Sequence, residues 1–334
     1  MKKLKVAILG VTGAVGQEFL TVLEERKFPI QELVPLASGR SAGKKVVFRG
    51  KRCTVCEAKP DSFDGIDLVL ASAGGSISKA LAPHAVKAGA LVVDNTSAYR
   101  MDPEVPLVVP EINADDIFKH KGIIANPNCS TIIMLVPLWP LHKAAKIRRI
   151  VSATYQAASG AGAKAMEELK VQAKDFLAGK KVKKVVLPHQ IAFNVFSHNS
   201  RVGPDGFCEE ETKMVKETQK IFHDPDLRVT ATCVRVPVLR AHSEALFIET
   251  ERPISPDEAR AILAKAPGVK VVDDREKNYF PMPLEATGQD DILVGRLRTD
   301  PGVENGLAMF VSGDQIRKGA ATNAVQIAEI AFRS

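Results

Sequence analysis

Cys129 stands in NPNCSTIIML (126–135), between a polar cluster and an apolar run that begins at Ile132. A helix is expected from Ser130, which puts the thiol at a helix N-terminus. Unsatisfied N–H groups and the positive end of the helix dipole favour a thiolate there, and the thiolate is the nucleophile. The same N–H groups could hold a developing oxyanion. Packing is the ordinary fate of a cysteine. Two features weigh against it here: the position after the strand pattern GIIANPN (122–128), and a glycine loop far upstream. A thiol nucleophile also needs a proton shuttle. Of the seven histidines, His84, His120, His142, His189 and His223 read as ordinary surface or core, and His198, in FSHNSRVG, as loop. His242 differs. It lies in RVPVLRAHSEA, between two expected strands and after Arg235 and Arg240. Cationic neighbours favour a neutral imidazole able to accept a proton, and suit an anionic substrate. A turn with solvated charges is the alternative for that segment alone.

The glycine loop is Gly10-Val-Thr-Gly13-Ala-Val-Gly16, after the first apolar run and at the start of the first helical pattern. Gly10 allows a tight turn, Gly13 lets the backbone approach a pyrophosphate, and Gly16 lets helix and strand pack closely. N–H groups at the helix start then meet the anion. The alternative is a strand–turn–helix with packing glycines. The second strand ends in ASGRSAGKK (37–45), where a loop selective for NAD would carry an acid. No acid is present in that stretch. Ser38, Arg40 and Ser41 are, and arginine beside hydroxyls suits a 2′-phosphate. This predicts NADP(H), against a plain polar surface loop.

These residues need elements to hold them. Through residue 128, short apolar runs (LKVAILG, ELVPLAS, DLVLASA, ALVVDNT, GIIANPN) alternate with helical patterns at 14–28 and 76–89. That alternation implies βαβ units and a parallel sheet that binds ligands beyond its strands' carboxyl ends. VVFRGKRCTVCEA (46–58) alternates like a strand. After Cys129 a helix runs to about Lys146, with Pro137 and Pro140 expected to disturb it. Long β-branched runs at 147–159 and 227–238, further strands at 245–250, 291–298 and 306–312, and amphipathic helices at 162–179 and 209–222 suggest an α+β second domain. The closing stretch, 314–332, reads as a helix folding back onto the first domain. The expected domains are 1–128, joined by the helix at about 314–334, and 129–313.

Composition limits the partners. The net charge of +7 comes from scattered lysines with only 5% aromatic residues, which argues against nucleic acid and suits anionic small molecules. No apolar run approaches the ~20 residues of a membrane helix. The basic and apolar start, MKKLKVAILG, is read as a strand rather than a signal peptide, because glycines and a threonine interrupt the apolar stretch. Five cysteines are too few for a disulfide scaffold, so a reducing cytoplasm is expected. Cys53 and Cys56 form a CxxC without a second ligand pair, so no metal is expected.

PNCST, TYQAASGAG (154–162) and RVPVLRAHSEA, with GVTGAVG, SGRSAG and GDQIRKGAATNAVQIAE, together resemble the aspartate-semialdehyde dehydrogenase family over essentially the whole chain. The resemblance implies a Rossmann-type NADP-binding domain and an α+β catalytic and dimerisation domain like that of glyceraldehyde-3-phosphate dehydrogenase. It implies a homodimer or homotetramer joined through the second domain's sheet. It makes Cys129 the nucleophile, His242 the acid/base and Gln156 the residue that orients the acyl group. Arg235 would pair with the substrate carboxylate and Glu210 with its amino group. Arg100 and Lys213 would bind phosphate. Thr12, Gly13, Ala14, Val15, Arg40, Ser41, Ser159, Gly160 and Gln315 would touch NADP. Three consecutive glutamates, 209–211, leave the register of Glu210 open by one.

The implied reaction is NADPH-dependent conversion of L-aspartyl 4-phosphate to L-aspartate 4-semialdehyde and phosphate through a cysteine thioester. It serves lysine (by way of diaminopimelate), threonine, methionine and isoleucine biosynthesis. The rivals are an N-acetylglutamyl-phosphate reductase and an NADP-binding regulator without catalysis.

Overall fold

The computed structural model describes residues 2–333, and the chain divides into two units of contact. One runs up to Asn128 and includes the chain from Ala320 on; the other is Cys129–Gly319.

The first unit is built on a six-stranded parallel sheet. Its strands are β1 (Leu4–Leu9), β2 (Ile30–Ala37), β3 (Cys56–Glu57), β4 (Leu68–Ala71), β5 (Leu91–Asp94) and β6 (Ile123–Ala125), in the order β3-β2-β1-β4-β5-β6. β1, β4 and β5 are apolar at nearly every position because helices cover both faces. Helix α1 (Ala14–Glu25) follows β1, and α2 (Gly75–Lys87) follows β4. The order reverses between β1 and β4, and that switch point is where Rossmann-type sheets take their ligands. The C-terminal helix, Thr322–Ala331, packs here: Asn323 donates to Val108 O and Asn126 Oδ1, and Arg26 pairs with Glu329 at 2.6 Å.

One expected strand is not a single strand. Residues 46–58 fold as an antiparallel ribbon, Lys45–Phe48 against Lys51–Thr54, before β3. Arg49 (φ 48) and Gly50 (φ 72) turn it, both left-handed, as a tight two-residue hairpin requires. The alternation of the segment continued across the turn and hid it.

The second unit carries a seven-stranded mixed sheet. Its strands are β7 (Ile147–Gln156), β8 (Phe196–Ser197), β9 (Arg228–Arg235), β10 (His242–Thr250), β11 (Val269–Val271), β12 (Ile292–Asp300) and β13 (Gly306–Gly313), in the order β8-β9-β7-β10-β13-β12-β11. Helices α3 (Cys129–Ala145) and α5 (Glu209–Ile221) lie on one face, with α4 (Ala163–Leu177) between β7 and β8 in sequence. Contrary to expectation, α3 runs unbroken through Pro137 and Pro140. Each proline forfeits a backbone hydrogen bond. But Ile132 to Leu138 and Leu141 are all buried, and packing on every side outweighs the local cost. On the opposite sheet face, Val151, Ala153, Phe247 and Phe310 are half-buried and Tyr155 is exposed. Among the described residues no helix is long and apolar enough to cross a membrane.

Candidate active site

Strand register assembles the chemistry of the second unit. Arg235 on β9 pairs with Gln156 on β7, and Ser243 on β10 pairs with Tyr155, so His242 falls opposite Gln156. Arg235, Gln156 and His242 therefore form one row across three neighbouring strands, all on the face that carries α3. All three are buried. Cys129 is the first residue of α3. Gln156 Nε2 donates to Ser130 Oγ at 3.0 Å and so ties the row to the first turn of that helix. Cys129 acts electrostatically on the Arg235 guanidinium, raising its pKa against the burial that lowers it. Gly319 leaves room for the thiol-bearing residue: a Cβ there would stand 2.9 Å from Cys129 Cβ. Gly160 does the same for the row, since its Cβ would meet Arg235 Nη1 at 2.7 Å and His242 Nε2 at 2.9 Å.

His242 opens β10 rather than lying between strands. Ala241, just before it, takes a left-handed φ of 71 and gives its N–H to Gln315 Oε1 at 2.9 Å. Gln315 Nε2 in turn donates to Ser159 Oγ, so Gln315 braces the turn that delivers the histidine. Burial, then the Arg235 guanidinium, with the neighbouring His198 ring adding to it, holds His242 well below histidine's usual value. The ring is neutral, as its setting suggested. Its Nδ1 accepts the Ala157 N–H at 3.1 Å, which assigns the one ring hydrogen to Nε2. Nε2 is buried without a partner. The resting ring thus offers a donor to an incoming oxygen, not a lone pair to the thiol proton. The Ala157 carbonyl accepts from Arg235 Nη1 at 3.2 Å, so one peptide orients both side chains.

The three glutamates at the start of α5 separate by role. Glu209 is exposed. Glu211 closes a capping box and accepts from Cys208 N at 2.8 Å and Cys233 N at 2.9 Å. Glu210 is buried, pairs with Lys213 at 3.6 Å, and acts electrostatically on Arg235 and His198. His198, read from sequence as plain loop, lies against Arg235: its Nε2 is 2.8 Å from Nη2. No local pattern signals that contact. Cys233, in the same unit, is a poor nucleophile, because burial pushes its thiol up.

Glu244 shares the face of His242 two residues on. It is fully buried, Oε1 has no partner, and Oε2 has only Ser152 Oγ at 3.4 Å. Burial holds its carboxyl well above the usual 4.5, with Glu210 adding to the rise. The folded state therefore keeps a proton that the unfolded state loses above 4.5, and this group's contribution to stability falls as pH rises. In Glu244→Gln that loss disappears. Urea unfolding should show the variant gaining on the parent by up to about 1.4 kcal/mol per pH unit above pH 4.5. Parallel stability curves would mean an ionised Glu244.

The remaining candidates lie in the first unit. Arg100 is buried, its Nε donating to Asn126 O at 2.9 Å and its Nη2 to Asn95 O at 2.8 Å. Gly10, Thr12, Gly13, Ser38, Arg40 and Glu57 border a cavity of about 510 Å³. Gly10 takes φ 92, and a Cβ there would strike the Ser72 backbone at 2.8 Å. Gly13 has an ordinary φ of −79, so it lacks a side chain for space rather than conformation. Ala14, Val15 and Gly16 form the first turn of α1, which has no side-chain cap. Thr12 Oγ1 reaches Ser41 Oγ at 3.5 Å across the mouth. This cradle fits a dinucleotide pyrophosphate on the helix start and a phosphorylated ribose near Arg40. An acid from outside residues 37–45 also borders this wall: β3 pairs Glu57 with Ala37, bringing its carboxylate against Gly39. It is tied to Lys59 at 3.2 Å.

A Rossmann unit and a thiol beside a buried Arg–Gln–His row define a dinucleotide-dependent dehydrogenase of the thioester-forming class. Residues 5–120 match the model of the semialdehyde dehydrogenase NAD-binding domain, and 138–318 that of the semialdehyde dehydrogenase dimerisation domain. Similar curated proteins include the aspartate-semialdehyde dehydrogenases of Synechocystis sp. (59% identical, 98% of this chain, 97% of the relative) and Aquifex aeolicus (57%, 98%, 97%). Among solved structures, aspartate-semialdehyde dehydrogenase II of Vibrio cholerae complexed with ASA superposes with a TM-score of 0.97 at 44% identity, covering 100% of this chain and 99% of the other. The Candida albicans enzyme with NADP gives 0.77 at 26% identity, covering 98% of each. The chain belongs to the aspartate-semialdehyde dehydrogenase family.

Proposed function

We propose that the chain reduces L-aspartyl 4-phosphate to L-aspartate 4-semialdehyde, releasing phosphate, with NADPH as the reductant. The observation that carries this is a pair of buried, opposite charges, Arg235 and Glu210, in the unit that holds Cys129. Together they suit the carboxylate and ammonium of a free α-amino acid. An N-acylated substrate would bring no cation to Glu210.

The Cys129 thiolate attacks the acyl carbon, while Gln156 orients the acyl group. His242 Nε2–H and the first-turn N–H groups of α3 hold the oxygen as it gains charge. Phosphate departs, taking up a proton from water to become hydrogen phosphate, and sulfur carries the acyl group as a thioester; Lys213 in this unit and Arg100 in the other are the phosphate-binding residues expected. NADPH, when bound, would supply the hydride; in the first unit Gly10 to Gly16 would hold its pyrophosphate and Ser38, Arg40 and Ser41 its 2′-phosphate, and Ser159, Gly160 and Gln315 are the cofactor contacts expected of the second unit. At the second tetrahedral stage His242 again donates to the oxygen, and Cys129 leaves as thiolate. The cycle starts and ends with thiolate and moves no proton at sulfur, so a hydrogen-bond donor suffices at His242.

The half-exposed sheet face bearing Tyr155 and Phe310, ring centroids 6.0 Å apart, supports a homodimer or homotetramer closed through that sheet. All five cysteines are free, which suits a reducing cytoplasm. The deciding assay is phosphate-dependent reduction of NADP. Aspartate semialdehyde should support it and N-acetylglutamate semialdehyde should not. The opposite preference would indicate the acylated substrate, and activity with neither would indicate a regulator.

A further inference from the structure

We propose that His198 is a positioning residue that aims the Arg235 fork and, through Ser200, fixes its spacing from Glu210. The inference rests on reading Arg235 as the carboxylate contact and Glu210 as the ammonium contact.

The geometry begins with an edge strand. β8 pairs antiparallel with the end of β9, Phe196 opposite Arg235 and Ser197 opposite Val234. The next residue continues the pairing, as His198 N–H donates to Cys233 O at 2.8 Å. The backbone therefore sets His198 beside Arg235. Three acceptors then hold the guanidinium: Asn199 Oδ1 on Nε at 3.2 Å, Ala157 O on Nη1 at 3.2 Å, and His198 Nε2 on Nη2 at 2.8 Å. Each terminal nitrogen keeps a second hydrogen, the pair a carboxylate takes in a bidentate fork.

Arginine only donates, so His198 Nε2 must be the lone-pair nitrogen and Nδ1 carries the hydrogen. Nδ1–H then donates to Ser200 Oγ at 3.0 Å. The Ser200 N–H also approaches Nδ1, at 3.2 Å; that bond belongs to the other tautomer, and the shorter 2.8 Å contact with Arg235 is the one that selects this arrangement. Ser200 Oγ also accepts the Glu210 N–H at 3.2 Å. One chain of contacts thus runs from Arg235 through His198 and Ser200 to the backbone of Glu210. Burial, then the Arg235 charge, pushes the His198 pKa down to about 4, with Lys213 lowering it and Glu210 and Glu211 opposing. The lone pair is therefore present throughout neutral pH.

The test compares aspartate semialdehyde with 3-aminopropanal, the same aldehyde without the carboxylate. His198→Ala removes the acceptor and should lower the kcat/KM preference for the carboxylate-bearing aldehyde by about 10- to 100-fold. The loss should lie chiefly in KM, with KM for NADP unchanged. His198→Gln keeps an acceptor and should retain most of the preference, and free imidazole should restore it in His198→Ala. If the alanine variant is unstable, His198→Leu replaces it with bulk but no acceptor. Equal losses on both aldehydes, or no loss, would overturn the positioning role. Arg235→Lys is the separating control. If it leaves the preference intact, the carboxylate reading of Arg235 fails; if it abolishes the preference while His198→Ala and His198→Leu do not, only the inference about His198 fails.

Discussion

Cys129→Ala should lower turnover of aspartate semialdehyde by at least about 10⁴-fold while calorimetry still detects NADP binding. Losing a nucleophile that acts in concert with its partners costs on this order, because the remaining donors have no covalent intermediate to stabilise. NADP binding should survive because the glycine cradle belongs to the other unit of contact. The substitution is also small at this site, since Gly319 already leaves open the space around the Cys129 Cβ. Activity within a few-fold of the parent would remove the thioester from the mechanism. Loss of NADP binding as well would point to a folding defect.

Arg235→Lys should lower kcat/KM for aspartate semialdehyde by roughly 10²- to 10³-fold, although charge is kept. Lysine presents a point charge and cannot fill three acceptors and a carboxylate fork at once. Asn199 Oδ1, the Ala157 carbonyl and His198 Nε2 would then compete for one ammonium. For 3-aminopropanal the loss should be much smaller, because that aldehyde never uses the fork. Steady-state kinetics on the two aldehydes decide it. Comparable losses on both would mean that Arg235 serves the thiolate or His242 rather than the substrate carboxylate.

Local chemistry was legible in the sequence where one short stretch determines it. Gly10, Gly13 and Gly16 mark a turn, an approach and a close packing within seven residues, and β1, the loop and α1 follow from them. Cys129 was likewise placed at a helix start by the apolar run after it, and that is where it stands. Contacts set by strand pairing were not legible in this way. His198 meets Arg235 only because β8 adds to the end of β9, and Glu57 meets Gly39 only because β3 adds to the end of β2. The Ala157 peptide reaches His242 and Arg235 through backbone atoms, which side-chain identity does not encode. Its N–H is what occupies His242 Nδ1 and leaves the ring hydrogen on Nε2. The prolines of α3 misled for a related reason: propensity is local, whereas that helix is held by burial on all sides.

Mass spectrometry decides whether Cys129 carries a covalent acyl group. The enzyme is mixed with L-aspartyl 4-phosphate without NADPH, quenched in acid and digested. One aspartyl adduct is expected, on the peptide containing Cys129, and it should disappear when NADPH is added before the quench. An enzyme that turns over but carries no adduct, or carries it on Cys53, Cys56, Cys208 or Cys233, would contradict a thioester on Cys129.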